Sequence, residues 1–110
     1  MQIAVLASQQ QKESIQKEEW SGRHDFIWAD SLRSLLIIEA DLFIDLQFVY
    51  ERERIAGLIK LFPKPVLVSP ISHTNWEFLP SFIRINASPI RIKYELDALE
   101  KSLTGVKHRT

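Results

Sequence analysis

Polar residues follow the first apolar run of the chain, at a point where a binding site could form. Ser8, Gln9, Gln10 and Gln11 come directly after the run that ends at Ala7. Such a continuous apolar run is typical of a strand covered on both faces, and Ser8 with Gln11 fits a capping box at a helix start. Because the N–H groups of a helix start attract anions, Ser8 and Gln9 are candidate cofactor or anion ligands.

This corner contains no glycine. In dinucleotide-binding domains the glycines of a G-x-G-x-x-G run permit a tight turn, close approach of the backbone to the pyrophosphate, and close helix–strand packing. Residues 7–11 place β-carbons in that space instead. We therefore expect a dinucleotide in the usual pose to clash here, whereas a small anion can still bind weakly.

Asp30 is a second candidate ligand. It ends a predicted strand some 22 residues after Ser8, which is near the spacing at which an acidic residue bonds the ribose hydroxyls of NAD. The same residue could instead cap the segment that follows it. Both roles remain open, and the missing glycines favour the cap.

Alternating apolar segments and helical patterns give the order β-α-β-(α)-β-α-β-(α)-β-β-α. This order predicts an α/β fold, a three-layer Rossmann-like domain with a mostly parallel, doubly wound sheet of about six strands. A single domain is expected over residues 1–110. Strands are predicted at 2–7, 25–30, 41–48, 64–70, 81–86 and 89–96, and helices at about 9–20, 50–62 and 97–104.

The last third of the chain carries the most specific of these predictions. Ile90, Ile92, Tyr94 and Leu96 alternate with charged residues, which favours a half-exposed sixth strand. The final helix is expected to end at Gly105, with residues 106–110 frayed. The earlier segment 31–41 is ambiguous and is assigned to a short helix or a turn.

Composition excludes several classes of protein. Formal net charge is zero, which argues against nucleic-acid binding through bulk charge, and there is no cysteine for a disulfide or thiolate metal site. The three histidines are too scattered to form a recognisable metal motif, so no metal ligands are predicted. The apolar runs are too short for a signal peptide or a membrane span, so a cytoplasmic protein without membrane contact is expected.

The region from the fourth predicted strand onward resembles the NAD-binding domain of 3-hydroxyacyl-CoA dehydrogenases. "VSPISH" lies over that family's Ser-Asn-Thr-Ser-Ser run, and "IRIN" lies over its His-x-x-Asn run, which places Ser69 and Ser72 on serines and Asn86 on the asparagine. Without a gap, Glu95 falls on the glutamate that orients the catalytic histidine. The resemblance thus implies catalytic positions at Ser72, Asn86 and Glu95, and a cofactor contact at Ser69.

The sequence departs from that family at the residues that carry its chemistry. Ile83 stands at the histidine position and cannot accept a proton, and His73 and Arg84 lack the spacing to replace it. Any cofactor would be NAD, but none is expected. Glu95 would have no imidazole to orient, so these matched positions are expected to be inactive.

Other polar and aromatic groups receive structural interpretations. Asp41 and Asp45 flank an apolar strand and are expected to face opposite ways or outward, and Glu51–Arg54 to form a solvated first helical turn. Trp76, which follows the fourth predicted strand, is the first choice for an exposed aromatic in a ligand crevice or a dimer contact.

The sequence therefore favours a degenerate NAD-binding-like domain without dehydrogenase activity. It would act as a small binding or self-association module and form a homodimer, because so small a sheet should leave apolar edges exposed. Two alternatives stay open: an NAD-linked oxidoreductase completed by a partner chain, and a sensor of a mononucleotide or small anion.

Overall fold

The computed structural model describes residues 1–49, 51–61, 64–70, 83–85 and 88–108. Strands and helices alternate along these residues, with a 3₁₀ segment after the first helix. In chain order they are β1 (Gln2–Leu6), α1 (Gln9–Gln16), the 3₁₀ segment (Glu19–Arg23), β2 (Asp25–Ala29), α2 (Leu32–Ile37), β3 (Leu42–Phe48), α3 (Arg52–Ile59), β4 (Val66–Pro70), β5 (Ile83–Arg84) and α4 (Pro89–His108).

The strands form one sheet in the order β2-β1-β3-β4-β5, and every pairing is parallel. Within the described residues, four strands have five or more residues, and β5 has two. This order is that of flavodoxin-like sheets, and it is also what a Rossmann sheet of order 3-2-1-4-5-6 becomes when its third strand is missing. The predicted parallel α/β architecture is confirmed, whereas the prediction of six strands is wrong.

Helices cover both faces of this sheet and bury two separate cores. On one face, Ile15 of α1 and Trp20 of the 3₁₀ segment pack with Ile92 and Leu96 of α4. On the other face, Leu35 of α2 and Leu58 of α3 pack against the opposite sides of β1, β3 and β4. Because both faces are covered, β1, β3 and β4 are almost continuously buried, as their apolar runs predict.

The segment predicted as a sixth strand is the first part of α4. Helix α4 runs from Pro89 to His108 and continues through Gly105, where the sequence predicted an end. Ile92 and Leu96, four residues apart, are buried, whereas Ile90 and Tyr94 are 79% and 63% exposed. The apolar residues of this segment therefore follow a helical period, and the alternation that suggested a strand has no structural counterpart.

Other bounds differ less. Helix α1 is shorter than predicted because the chain passes into the 3₁₀ segment, and the short helix that was one alternative for residues 31–41 exists as α2. Leu58 of α3 is buried, whereas the next residue, Ile59, is about half exposed. No helix in the described part of the chain is long and apolar enough to cross a membrane.

Candidate functional site

The candidate site lies where β1 and β3 end side by side. Strand β1 lies between β2 and β3. The connection that leaves β1 runs toward β2, and the connection that leaves β3 runs the opposite way, toward β4. In doubly wound sheets, ligands bind in the crevice that this reversal opens at the carboxyl ends of the strands. Ser8 and Gln11 follow β1 at this edge. Asp45, in the middle of β3, pairs with Leu6 at the end of β1, and Gln47 lies near the end of β3.

A capping box closes the start of α1, as the sequence predicts. The Ser8 Oγ accepts a hydrogen bond from the Gln11 backbone N–H at 3.2 Å, and the Gln11 Oε1 accepts one from the Ser8 backbone N–H at 2.9 Å. Two of the backbone donors that an anion would use at this corner are therefore already bound by the protein itself.

The side chain of Gln11 also reaches across to β3. Its Nε2 donates to the Leu46 carbonyl oxygen at 3.3 Å, and its Oε1 accepts from the Nε2 of Gln47. One glutamine thus links the helix start to the end of the neighbouring strand, 35 residues further along the chain. The crevice between β1 and β3 contains an internal hydrogen-bond network at the place where phosphate-binding domains keep open backbone.

Asp45 is the residue of this edge that sequence reasoning placed wrongly. Its side chain is fully buried and forms a two-pronged ion pair with Arg54 of α3, with distances of 2.9 Å and 3.0 Å. The Gln47 backbone N–H donates a third hydrogen bond at 3.0 Å. Asp45 therefore does not face outward, and Arg54 is not part of a solvated helical turn.

The cause is the position of Asp45 within the sheet. It lies between Leu6 of β1 and Val68 of β4, in the middle of a strand covered by helices on both faces. A carboxylate there needs a partner, and the guanidinium of Arg54 matches its two oxygens. An acidic residue inside an apolar strand, followed by a helix that carries arginine, was the signal for this pair.

Asp30 lies at the same edge, just after β2. Its Oδ1 accepts a hydrogen bond from the Ser34 hydroxyl at 3.0 Å, and its side chain is exposed. The cap of α2 is Ser31, whose Oγ accepts from the Ser34 backbone N–H at 3.2 Å. Asp30 supports this helix start without being its cap, and it directly follows Ala29, which pairs with Leu6 at the end of β1.

The positions matched to the dehydrogenase family are only partly brought together. Ser69 is buried within β4, and Ile83 lies next to that strand in β5. Glu95 lies on α4, where it pairs with Arg91 at 3.2 Å, so it is not on the strand that the ungapped match required. Ser72 and Asn86 fall outside the described residues, as do His73 and Trp76.

Comparison of the chain with protein families, with curated proteins and with solved structures finds no match. The resemblance to 3-hydroxyacyl-CoA dehydrogenases therefore stays a prediction from the sequence. The parallel sheet gives the chain its α/β fold class, and the contacts at the β1–β3 edge are the observations that bear on its function.

Proposed function

We propose that this chain is a non-catalytic, doubly wound α/β domain that serves as a small binding or self-association module. In this proposal it is a degenerate relative of NAD-binding domains and has no dehydrogenase activity. The observation that carries the proposal is the position of Gln11, which joins the start of α1 to the end of β3. Its side chain lies where a dinucleotide-binding domain would receive the diphosphate of its cofactor.

The donor groups of the corner support the loss of the cofactor. A diphosphate held at a helix start needs backbone N–H groups that face it. The capping box engages those of Ser8 and Gln11, so a diphosphate would have to break both bonds and displace a glutamine side chain. The β-carbons of residues 7–11 add a steric barrier, which glycines would remove.

The residues expected to carry catalysis support the same proposal. Ile83 offers no proton acceptor at the position of the general base, and the Glu95 carboxylate is engaged by Arg91 on its own helix. The buried Asp45 is neutralised by Arg54 and is held by three hydrogen bonds, so it acts as a structural charge. These described residues thus provide no acid–base pair to move a proton at this edge.

Asp30 favours the alternative of a nucleotide ligand. It is exposed at the edge where the ribose hydroxyls of a nucleotide would lie, close to the Ser8 corner. An NAD-linked oxidoreductase completed by a partner chain would use it in this way, and so would a sensor of a mononucleotide or a small anion.

Isothermal titration of the full chain with NAD, NADH, AMP and inorganic phosphate separates these candidates. The proposal predicts no saturable binding of NAD or NADH at millimolar concentration. Saturable NAD or NADH binding that Asp30→Asn weakens would contradict it and favour the oxidoreductase. Binding of AMP or phosphate alone by the wild-type chain would favour the sensor.

A matched pair of glutamine variants tests the closed corner directly. Gln11→Ala frees the Ser8 N–H, so we expect phosphate to bind this variant about tenfold more tightly than wild type, since one hydrogen bond to a charged group contributes ~1.5 kcal/mol. Gln16→Ala removes an exposed glutamine from the other end of α1 and should bind phosphate as wild type does. Equal phosphate affinity of Gln11→Ala and wild type would contradict the role given to Gln11.

A further inference from the structure

Three metal-ligating side chains meet away from the β1–β3 edge, where the chain enters β2 beside α4. The ligand atoms of His24, Asp97 and Glu100 all lie within 4.8 Å of one another. His24 directly precedes β2, and the two acidic residues lie on α4. More than 70 residues separate His24 from Asp97, so the sequence spacing gave no sign of this cluster.

An unsatisfied nitrogen distinguishes this cluster from a chance group of surface acids. His24 is the least exposed of the three residues, and its imidazole Nδ1 is buried without a hydrogen-bond partner among the described residues. A buried nitrogen without a hydrogen-bond partner lowers the stability of the folded chain. A metal ion bound by this nitrogen would give it a partner, because neutral imidazole is a common ligand of transition metals.

The positions of the three residues allow their side chains to bind one ion together. Asp97 and Glu100 are three residues apart on α4, so they lie on one face of the helix. The His24 ring has an edge contact with Phe26, with 6.0 Å between the ring centroids. Packing therefore helps to position the imidazole, and the two carboxylates are the exposed members of the cluster.

Only a small movement would form the site. Tetrahedral zinc with bonds of about 2.1 Å holds its ligand atoms about 3.4 Å apart. The separations here are at most 4.8 Å, so rotation of the exposed acidic side chains can close the difference. Lys93 donates to one oxygen of Asp97 at 2.9 Å, and a carboxylate can accept that bond while its other oxygen binds a metal.

We propose that His24, Asp97 and Glu100 bind one divalent transition-metal ion of the zinc and manganese class, which ties α4 to the start of β2. One nitrogen and two oxygens form a borderline donor set that suits these ions better than a set of oxygens alone. Three protein ligands leave at least one coordination position for water. The ion joins residues that are more than 70 positions apart in the chain.

Titration of the metal-free chain with zinc, manganese and magnesium chlorides tests the site. After treatment with EDTA and its removal, calorimetry should give one zinc ion per chain, with magnesium at least tenfold weaker. Asp97→Asn and Glu100→Gln change exposed residues that a folded chain tolerates, and each should weaken zinc binding at least tenfold. Asp30→Asn alters an exposed acid at the opposite end of β2 and should leave zinc affinity unchanged.

A second set of variants separates this site from zinc held elsewhere by histidine. The double variant His73→Ala/His108→Ala keeps His24 as its single histidine and should retain one zinc ion of unchanged affinity. In the wild-type chain, zinc should also shift the imidazole resonances of His24 and raise the melting temperature. No saturable zinc or manganese binding below 1 mM, loss of binding in the double variant, or unchanged affinity in Asp97→Asn and Glu100→Gln would each overturn the proposal.

Discussion

The Asp45–Arg54 pair is more deeply buried than the two ion pairs on α4. Asp45 is fully buried, and the side chain of Arg54 is 17% exposed, so the charge of the aspartate depends almost wholly on protein groups. Burying a charge costs several kcal/mol, and a two-pronged arginine contact is the arrangement that best offsets this cost. The pair also fixes α3 against the end of β3, beside the Gln11–Gln47 contacts.

Substitution of Arg54 should therefore lower the stability of the fold much more than substitution of the nearby Arg52. We expect Arg54→Met to lower the free energy of unfolding by about 3 kcal/mol, because it leaves the Asp45 carboxylate buried without its cation. Arg52→Met, on the exposed first residue of α3, should change it by less than about 0.5 kcal/mol. Urea unfolding followed by circular dichroism measures both values.

A double variant distinguishes loss of the pair from loss of packing. Asp45→Leu combined with Arg54→Met replaces two charges with apolar groups, so it should recover much of the lost stability. Equal urea midpoints for Arg54→Met and Arg52→Met would mean that the ion pair adds nothing to stability.

Among the elements, α4 shows what decides between a strand and a helix when a segment fits both. Ile90, Ile92, Tyr94 and Leu96 alternate with charged residues, but Ile92 and Leu96 also have the spacing of one helical face. Serine followed by proline is typical of a helix start. In the structure Ser88 accepts a hydrogen bond from the Arg91 backbone N–H, and Pro89 is the first helical residue. Ion pairs Arg91–Glu95 and Lys93–Asp97, four residues apart, support the helix further.

Two identical substitutions, two residues apart, test this assignment. Ile92→Ala should destabilise the protein by about 3 kcal/mol, because Ile92 is fully buried in the core shared with Ile15 and Leu96. Ile90→Ala should cost less than about 0.5 kcal/mol, since Ile90 is 79% exposed. Thermal unfolding measures both values. Similar losses of stability at the two positions would favour a strand, because residues two apart in a strand lie on the same face.

What the sequence could predict of the elements depends on how local the cause is. The Ser8–Gln11 capping box involves residues three apart, so the sequence predicted it correctly. The burial of Asp45, the Gln11 contact with Leu46 and the meeting of His24 with α4 depend on which strands become neighbours. Sequence patterns predict that strands exist and are covered on both faces, but they leave the order of the strands open, and residues distant in the chain meet only through that order.

At the scale of the whole molecule, the strand order determines where a ligand or partner can bind. It places the reversal point between β1 and β3, and there the chain has its own polar network. Large apolar side chains are exposed elsewhere: Ile37 and Ile59 end α2 and α3, and Ile90 and Tyr94 lie on the first turns of α4. These exposed side chains support the proposed self-association, because contact with a second copy would remove apolar surface from water.

If the chain self-associates, its apparent mass should rise with protein concentration. Substitutions on the apolar surface that forms the contact should abolish that rise. Light scattering should give a mass twice the 12.8 kDa of the chain at high concentration, and the urea midpoint should rise with concentration. Lysine on the contact surface would bury a charge and restore the monomer, whereas lysine on the other surface would remain in water. Of Ile37→Lys and Ile90→Lys, we therefore expect one to give a 12.8 kDa monomer and the other to behave as wild type. A wild-type chain that stays monomeric at the highest concentration, with a urea midpoint independent of concentration, would contradict self-association and leave ligand binding as the function of the module.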